Sequence, residues 1–205
     1  MTEVEMIETN LGGSTLTKKS LRALRSKIIR LYKQDQRPWV IGYSGGKDST
    51  AVVQLIWDAL LELGKTESLS KTVHVLSSDT LVETPAVVDA LRDNLVRMEK
   101  AAKQQKIPIE VDLVAPPANQ SFWVNLIGRG YPAPTTTFRW CTDRLKIAPA
   151  NKFILDTVST HGEAVLVLGV RSEESTTRAQ SIELYENKAP EPDFSTHTSL
   201  PGALV

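Results

Sequence analysis

Six consecutive residues, Ser44-Gly45-Gly46-Lys47-Asp48-Ser49, carry the clearest chemistry in this 205-residue chain. Adjacent glycines let the main chain turn tightly and approach an anion with no Cβ in the way. Ser44, Ser49 and the following Thr50 offer hydroxyl donors, and Lys47 adds a positive charge. Before the loop, Trp39-Val-Ile-Gly-Tyr43 reads as a buried strand. Behind it, Val52, Val53, Leu55, Ile56, Leu60 and Leu63 recur at helical spacing. A glycine-rich loop between a strand and a helix aims backbone amides and the helix dipole at phosphate oxygens. It is not a Walker A loop. Ile41 stands where that pattern wants its first glycine, and Asp48 where it wants a hydroxyl residue.

Three more segments could bear on a reaction. Asp79, in Ser77-Ser-Asp-Thr80, follows a second strand and lies 33 residues beyond Gly46. It reads either as a group near a nucleotide ribose or magnesium ion, or as a turn residue bonding its own backbone. Glu83 reads as a local partner. Around Cys141 stand Arg139, Arg144 and Lys146, opposed by Asp143. Cations of that kind stabilise a thiolate as nucleophile or iron ligand, whereas a lone cysteine otherwise serves as a small buried hydrophobe. Gly169-Val-Arg171 leaves the last strand and continues to Arg178. The two arginines could clamp an α-phosphate or a second anion bidentately, or pair with Glu173 and Glu174 at the surface.

The elements that must position these groups alternate. Leu21, Leu24, Ile28 and Leu31 predict a helix over about 17–34. Strands follow at 39–43, 72–76, 107–114 and 164–168. A helix capped by Thr84 and opened by Pro85 runs through Ala102, a short helix covers 121–127, and another begins after Thr142. That rhythm predicts an α/β fold, a doubly wound, mostly parallel sheet with helices on both faces. We expect an N-terminal segment with a basic helix (1–37), a nucleotide-binding domain (38–182), and a loop with a truncated-looking end (183–205). The apolar ending Leu200-Pro-Gly-Ala-Leu-Val205 suggests a larger design.

Composition narrows the class. Hydrophobic residues make up 41% and charged residues 23%, as in ordinary soluble globules. The acidic first ten residues are unlike a signal peptide, and the longest apolar run is far short of a membrane span, so the expectation is cytoplasmic, with no membrane partner. The single cysteine excludes a disulfide framework and a complete iron–sulfur cluster within this chain; Cys141 would ligate iron only beside further cysteines. Net charge is zero, but it sums unlike parts. Lys18, Lys19, Arg22, Arg25, Lys27, Arg30, Lys33 and Arg37 face Asp35 alone between residues 17 and 37. That stretch is either a solvated helix face or a contact for nucleic-acid phosphates.

The loop Ser44–Ser49 resembles the SGGKDS loop of the PP-loop ATP pyrophosphatases, which part ATP between its α- and β-phosphates. Taken with Ser77–Pro85, Phe122–Pro134, Phe138–Lys146 and Gly169–Ser175, the chain resembles the phosphoadenosine-phosphosulfate reductase-like branch of that superfamily. Within the branch it is similar to the DndC-type proteins of DNA phosphorothioate modification and their SspD relatives. The likeness spans about residues 40–205. It implies ATP activation coupled to replacing a non-bridging oxygen of the DNA backbone by sulfur. DNA would be the substrate, magnesium would bridge the phosphates of ATP, and a cysteine desulfurase with other phosphorothioation proteins would be partners. On that reading Lys47, Asp48, Arg171 and Cys141 are the catalytic candidates. Ser44, Gly45, Gly46, Lys47, Asp48, Ser49, Asp79, Gly169, Arg171 and Arg178 would bind the nucleotide. Several relatives are longer and carry an iron–sulfur cluster. The C-terminal Glu-Cys-Gly-type tail of true phosphosulfate reductases is absent from this sequence. An enzyme of sulfate assimilation, a phosphosulfate reductase or an ATP sulfurylase subunit, is the alternative, and a non-catalytic nucleotide-binding scaffold is a third.

Overall fold

The computed structural model describes residues 17–170, Phe194, His197 and residues 200–205. Five strands form one parallel sheet in the order β3-β2-β1-β4-β5. They are β1 (Trp39–Gly42), β2 (Val73–Ser78), β3 (Ile109–Val114), β4 (Ala164–Val167) and β5 (Ala203–Leu204). The helices between them are α2 (Lys47–Leu63), α3 (Pro85–Gln105), α4 (Trp140–Thr142) and α5 (Ala148–His161), with α1 (Lys18–Gln34) ahead of the sheet.

Alternation along β1 divides the core in two. Trp39 and Ile41 join Val53, Ile56 and Leu60 of α2 and Leu95 and Ala102 of α3 on one face. Val40 turns the other way, toward Leu76, Ile154 of α5, Leu166 and Leu200. Each inner strand is therefore apolar on both sides, which is why it reads as a continuous hydrophobic run. The predicted doubly wound α/β fold is the one observed.

Boundaries differ from the sequence expectation where chemistry overrides periodicity. The helix expected from Val52 begins at Lys47, because Gly46 occupies the N-cap in extended geometry and the first turn is polar. Strand β2 runs on to Ser78 because Ser77 and Ser78 pair with Leu113 and Val114. Helix α3 starts at Pro85 after Thr84, as expected. The short helix expected over 121–127 is a 3₁₀ turn at Ala118–Gln120 followed by a π turn at Val124–Gly128. A second π turn, Asp143–Ile147, joins α4 to α5. Strand β5, two residues long, offers too little pattern to be read in advance; it pairs with β4 at the sheet edge.

Helix α1 is capped by Thr17, whose hydroxyl accepts the Ser20 N–H while the Ser20 hydroxyl accepts the Thr17 N–H. It packs on the core through Ile28, Ile29, Leu31 and Tyr32, whereas Leu21 and Leu24 of the expected stripe are exposed. Its end is anchored by Lys71, only 3% exposed. The Lys71 ammonium donates to Asp35 at 3.2 Å and lies 4.7 Å and 5.0 Å from the Tyr32 and Trp39 ring centres. The Tyr32 hydroxyl in turn donates to the Lys71 carbonyl at 2.7 Å.

Candidate phosphate-loop site

The strand order reverses between β1 and β4, and ligands of open α/β sheets bind outside the carboxyl ends of strands at such a switch point. The loop 43–46 leaves β1 there and opens α2. Gly45 has φ +74°, a left-handed conformation that lets the chain turn back over the strand end. Its neighbours are held from within. The Ser49 hydroxyl donates to the Gly46 carbonyl at 3.0 Å and accepts the Ser44 N–H at 3.3 Å. The Ser44 and Ser49 hydroxyls lie 3.2 Å apart, and the Thr50 hydroxyl donates to the Gly46 carbonyl at 2.8 Å. Ser49 is buried, while Ser44, Gly45, Gly46 and Lys47 are exposed. Gly46 brings no side chain to cap α2, so the helix presents first-turn amides beside the Lys47 ammonium, an arrangement suited to an anion.

The other wall of this notch is the exit of β4. A Cβ on Gly169 would meet the Asp48 carbonyl at 3.0 Å and the Ser49 nitrogen at 3.1 Å. Gly169 thus lies directly on the first turn of α2. On the strands beneath, a Cβ on Gly42 would meet Leu168 at 3.0 Å. Sequence spacing gave no reason to single out Gly42 or Leu168; only the parallel pairing of β1 with β4 makes them neighbours. Arg171 and Arg178 lie outside the described residues.

Asp79 sits at the end of β2, 5% exposed, with both oxygens engaged. One accepts the Leu81 N–H at 2.9 Å, and the other accepts Arg92 at 2.9 Å. The carboxylate therefore holds the turn that carries Leu81 at φ +62°. That is the local role expected for an aspartate bonding its own backbone. Thr80 donates to Glu83 at 3.2 Å, and Lys146 pairs with Glu83 at 3.3 Å. Among the described residues the buried Ser77 hydroxyl has no hydrogen-bond partner.

Cys141 is half-buried in α4. Two of the three cations expected around it are directed elsewhere: Lys146 to Glu83, and Arg144 to Gln120 and Tyr131 at 2.8 and 2.7 Å. Arg129 donates to the same Gln120 oxygen at 2.9 Å and to Asn125 at 3.0 Å. Asn125, fully buried, fixes the π turn by donating to the Gln120 and Ser121 carbonyls at 2.9 and 3.0 Å. Phe122 stacks on Trp140 at 5.3 Å, and the Trp140 indole donates to the Pro132 carbonyl at 2.9 Å. The two segments 118–134 and 138–147 are thereby one structural unit. Neither periodicity nor a motif could reveal the Gln120 node, because its members are irregularly spaced and meet only through the two π turns.

Part of the basic stretch is engaged in ion pairs. Arg25 pairs with Asp58 at 3.4 Å and Glu62 at 3.2 Å, and Lys33 with Glu67 at 2.6 Å. Arg37 binds Asp35 and reaches Glu163 at 3.3 Å. Among the described residues no group of three His, Cys, Asp or Glu side chains could hold a metal ion, and no helix is long and apolar enough to cross a membrane.

Comparison with known proteins adds the following. The profile of the family described as "Phosphoadenosine phosphosulfate reductase domain" matches residues 38–193. An uncharacterized protein of Methanocaldococcus jannaschii is 26% identical over 160 residues, which is 78% of this chain and 28% of that protein. The chain thus spans little more than a quarter of that relative. The crystal structure of phosphoadenylyl-sulfate reductase from Candida auris, a phosphate complex, aligns over 94% of this chain and 79% of its own, with a TM-score of 0.45 and 15% identity.

Proposed function

Because the chain belongs to the phosphoadenosine phosphosulfate reductase domain family, its match covering residues 38–193, we propose that it is an ATP pyrophosphatase activating a DNA backbone phosphate for sulfur incorporation. The observation that carries the reading is the notch at the sheet's switch point. There the hydroxyl-braced loop Ser44–Ser49, the uncapped start of α2 and Gly169 converge. ATP enters as its magnesium complex, its β- and γ-phosphates against the loop amides and Lys47. A non-bridging oxygen of the DNA phosphodiester attacks the α-phosphorus, the bond to the β-phosphate oxygen breaks, and pyrophosphate leaves into the loop. The backbone phosphorus now bears AMP, a competent leaving group. Sulfur delivered as a persulfide by a cysteine desulfurase displaces it, and a second thiol frees the sulfur from its carrier. Lys47 spreads the charge that develops on the departing pyrophosphate, and the amides of α2 add to it without reorganising. Arg171 is the proposed partner on the α-phosphate, and Asp48 is the loop carboxylate that would hold the magnesium accompanying the nucleotide. Cys141 is proposed as a thiol of the sulfur-handling segment.

The decisive measurement is pyrophosphate release from ATP, with and without DNA, for wild type and for Lys47→Ala and Asp48→Ala. Both substitutions should abolish release, and retained activity would end the phosphate-loop assignment. A second reading is an enzyme of sulfate assimilation. As an ATP sulfurylase subunit it would release pyrophosphate on addition of sulfate and not of DNA. As a phosphosulfate reductase, the enzyme that the family description names, it would release none from ATP.

A further inference from the structure

The second candidate site lies on the α5 side of the sheet, at the far strand. A cleft of about 630 Å³ opens between the carboxyl end of β3 and the first turns of α5, within the roughly 300–1,000 Å³ of small-molecule sites. Val114, Pro149 and Phe153 give it an apolar wall, and Gln120, Arg144 and Lys152 give it a polar one, with Asp156 also in the lining.

One charge of this wall, Arg144, shares its acceptor with a second guanidinium, that of Arg129, which is not itself in the lining. Arg144 and Arg129 both donate to the single side-chain oxygen of Gln120, at 2.8 and 2.9 Å. Arg144's other contacts are the Tyr131 hydroxyl at 2.7 Å and the Tyr131 ring, 5.1 Å away. All of these partners are neutral. Among the described residues no carboxylate pairs with Arg129, Arg144 or Lys152. Two guanidinium groups drawn to one neutral acceptor repel each other, and a phosphate in the cleft, against Arg144 and Lys152, offsets that repulsion. The guanidinium of Arg144 is already fixed in position, so binding costs little side-chain ordering. It also stands on a π turn, a backbone irregularity often found at functional sites.

We propose that this cleft is a second anion site, separate from the phosphate loop, which binds one nucleotide unit. Its phosphate sits against Arg144 and Lys152, and its base packs on the Val114, Pro149 and Phe153 wall. The unit is either a free nucleotide or one residue of a DNA strand. The strand form rests on the DNA reading above, and the phosphate chemistry does not.

The test is the affinity of a short fluorescent oligothymidylate, with thymidine monophosphate as competitor, for wild type, Arg144→Gln, Lys152→Gln and Lys47→Ala. Each cleft substitution should weaken binding about tenfold, the loss expected of one charge-assisted hydrogen bond, and leave pyrophosphate release from ATP alone unchanged. Lys47→Ala should do the reverse, so failure of one reading is distinguishable from failure of the other. Competition by the monophosphate at concentrations comparable to the oligothymidylate identifies a free nucleotide as the ligand, and competition only at far higher concentrations identifies the strand. No competition at any concentration overturns the proposal. Lys152 is exposed and can be changed without disturbing the Gln120 node. Unaltered affinity for both probes in Lys152→Gln and Arg144→Gln overturns the proposal.

Discussion

A Cβ on Gly169 would stand 3.0 Å from both the carbonyl carbon and the carbonyl oxygen of Asp48, because the exit of β4 lies directly on the first turn of α2. Backbone atoms cannot swing aside as a side-chain tip can. Gly169→Ala must therefore displace either the strand exit or the start of the helix, at a cost of about 1–3 kcal/mol. The displacement falls on the amides proposed to face phosphate. Pyrophosphate release should drop by at least tenfold while the folded state persists by circular dichroism. Wild-type turnover in this variant would show that the contact is no part of the site.

Ser49 supports the loop from the other side. Its hydroxyl links the Ser44 N–H to the Gly46 carbonyl while itself buried. In Ser49→Ala the loop loses both contacts, and stability should fall by about 1 kcal/mol, the net worth of such a hydrogen bond. The larger effect should be on nucleotide affinity, read by calorimetric titration with ATP. An unchanged dissociation constant would mean that Ser44 and Gly46 hold their positions without it.

The phosphate loop was legible in the sequence because its determinants are contiguous: a strand, two glycines and a helix in one stretch of chain. The alternation of strands and helices likewise announced the parallel sheet, since each inner strand is apolar on both faces. What the sequence hid depends on tertiary meeting points. Gly42 and Leu168 are brought together only by strand pairing, and Gln120, Arg129 and Arg144 only by two π turns. Asp79 carried two readings because an aspartate after a strand serves equally as a ligand or as a turn; the bonds to Leu81 and Arg92 supply the turn. The basic stretch 18–37 likewise gave no hint that α2 supplies Asp58 and Glu62 opposite Arg25.

The Asp35–Lys71 pair makes stability depend on pH. Burial pushes the Asp35 carboxyl up, but hydrogen bonds from Arg37 and Lys71, together with the Lys71 charge, outweigh it and hold the group below its ordinary 3.8. A depressed carboxyl stabilises the fold above its unfolded value and loses that contribution as pH falls through the folded one. Unfolding midpoints should therefore decline below about pH 4. Burial also lowers Lys71, partly offset by Asp35. Its unfolded form keeps its proton to higher pH, so this group adds stability as pH rises toward its ordinary 10.5. Asp35→Asn leaves the Lys71 charge buried without its counter-ion and should cost about 3 kcal/mol at neutral pH. Denaturant titration of wild type and that variant along the acid limb checks the Asp35 sign, and titration of wild type along the alkaline limb checks the Lys71 sign.

The proposed DNA contact can be separated from the structural ion pairs of α1. Among the described residues Lys18, Lys19 and Arg22 have no carboxylate partner, whereas Arg25 pairs with Asp58 and Glu62. Reversing the first three charges should leave the unfolding midpoint in place. It should also weaken DNA retention and flatten its dependence on salt, since each neutralised phosphate contributes close to one unit of slope. Arg25→Glu should instead cost about 1 kcal/mol of stability by facing two carboxylates across the helix pair, and change DNA retention little. If reversal at Lys18, Lys19 and Arg22 alters neither affinity nor slope, α1 is a packing helix with a solvated face. The strand must then be held elsewhere, with the Arg144 cleft the next surface to test.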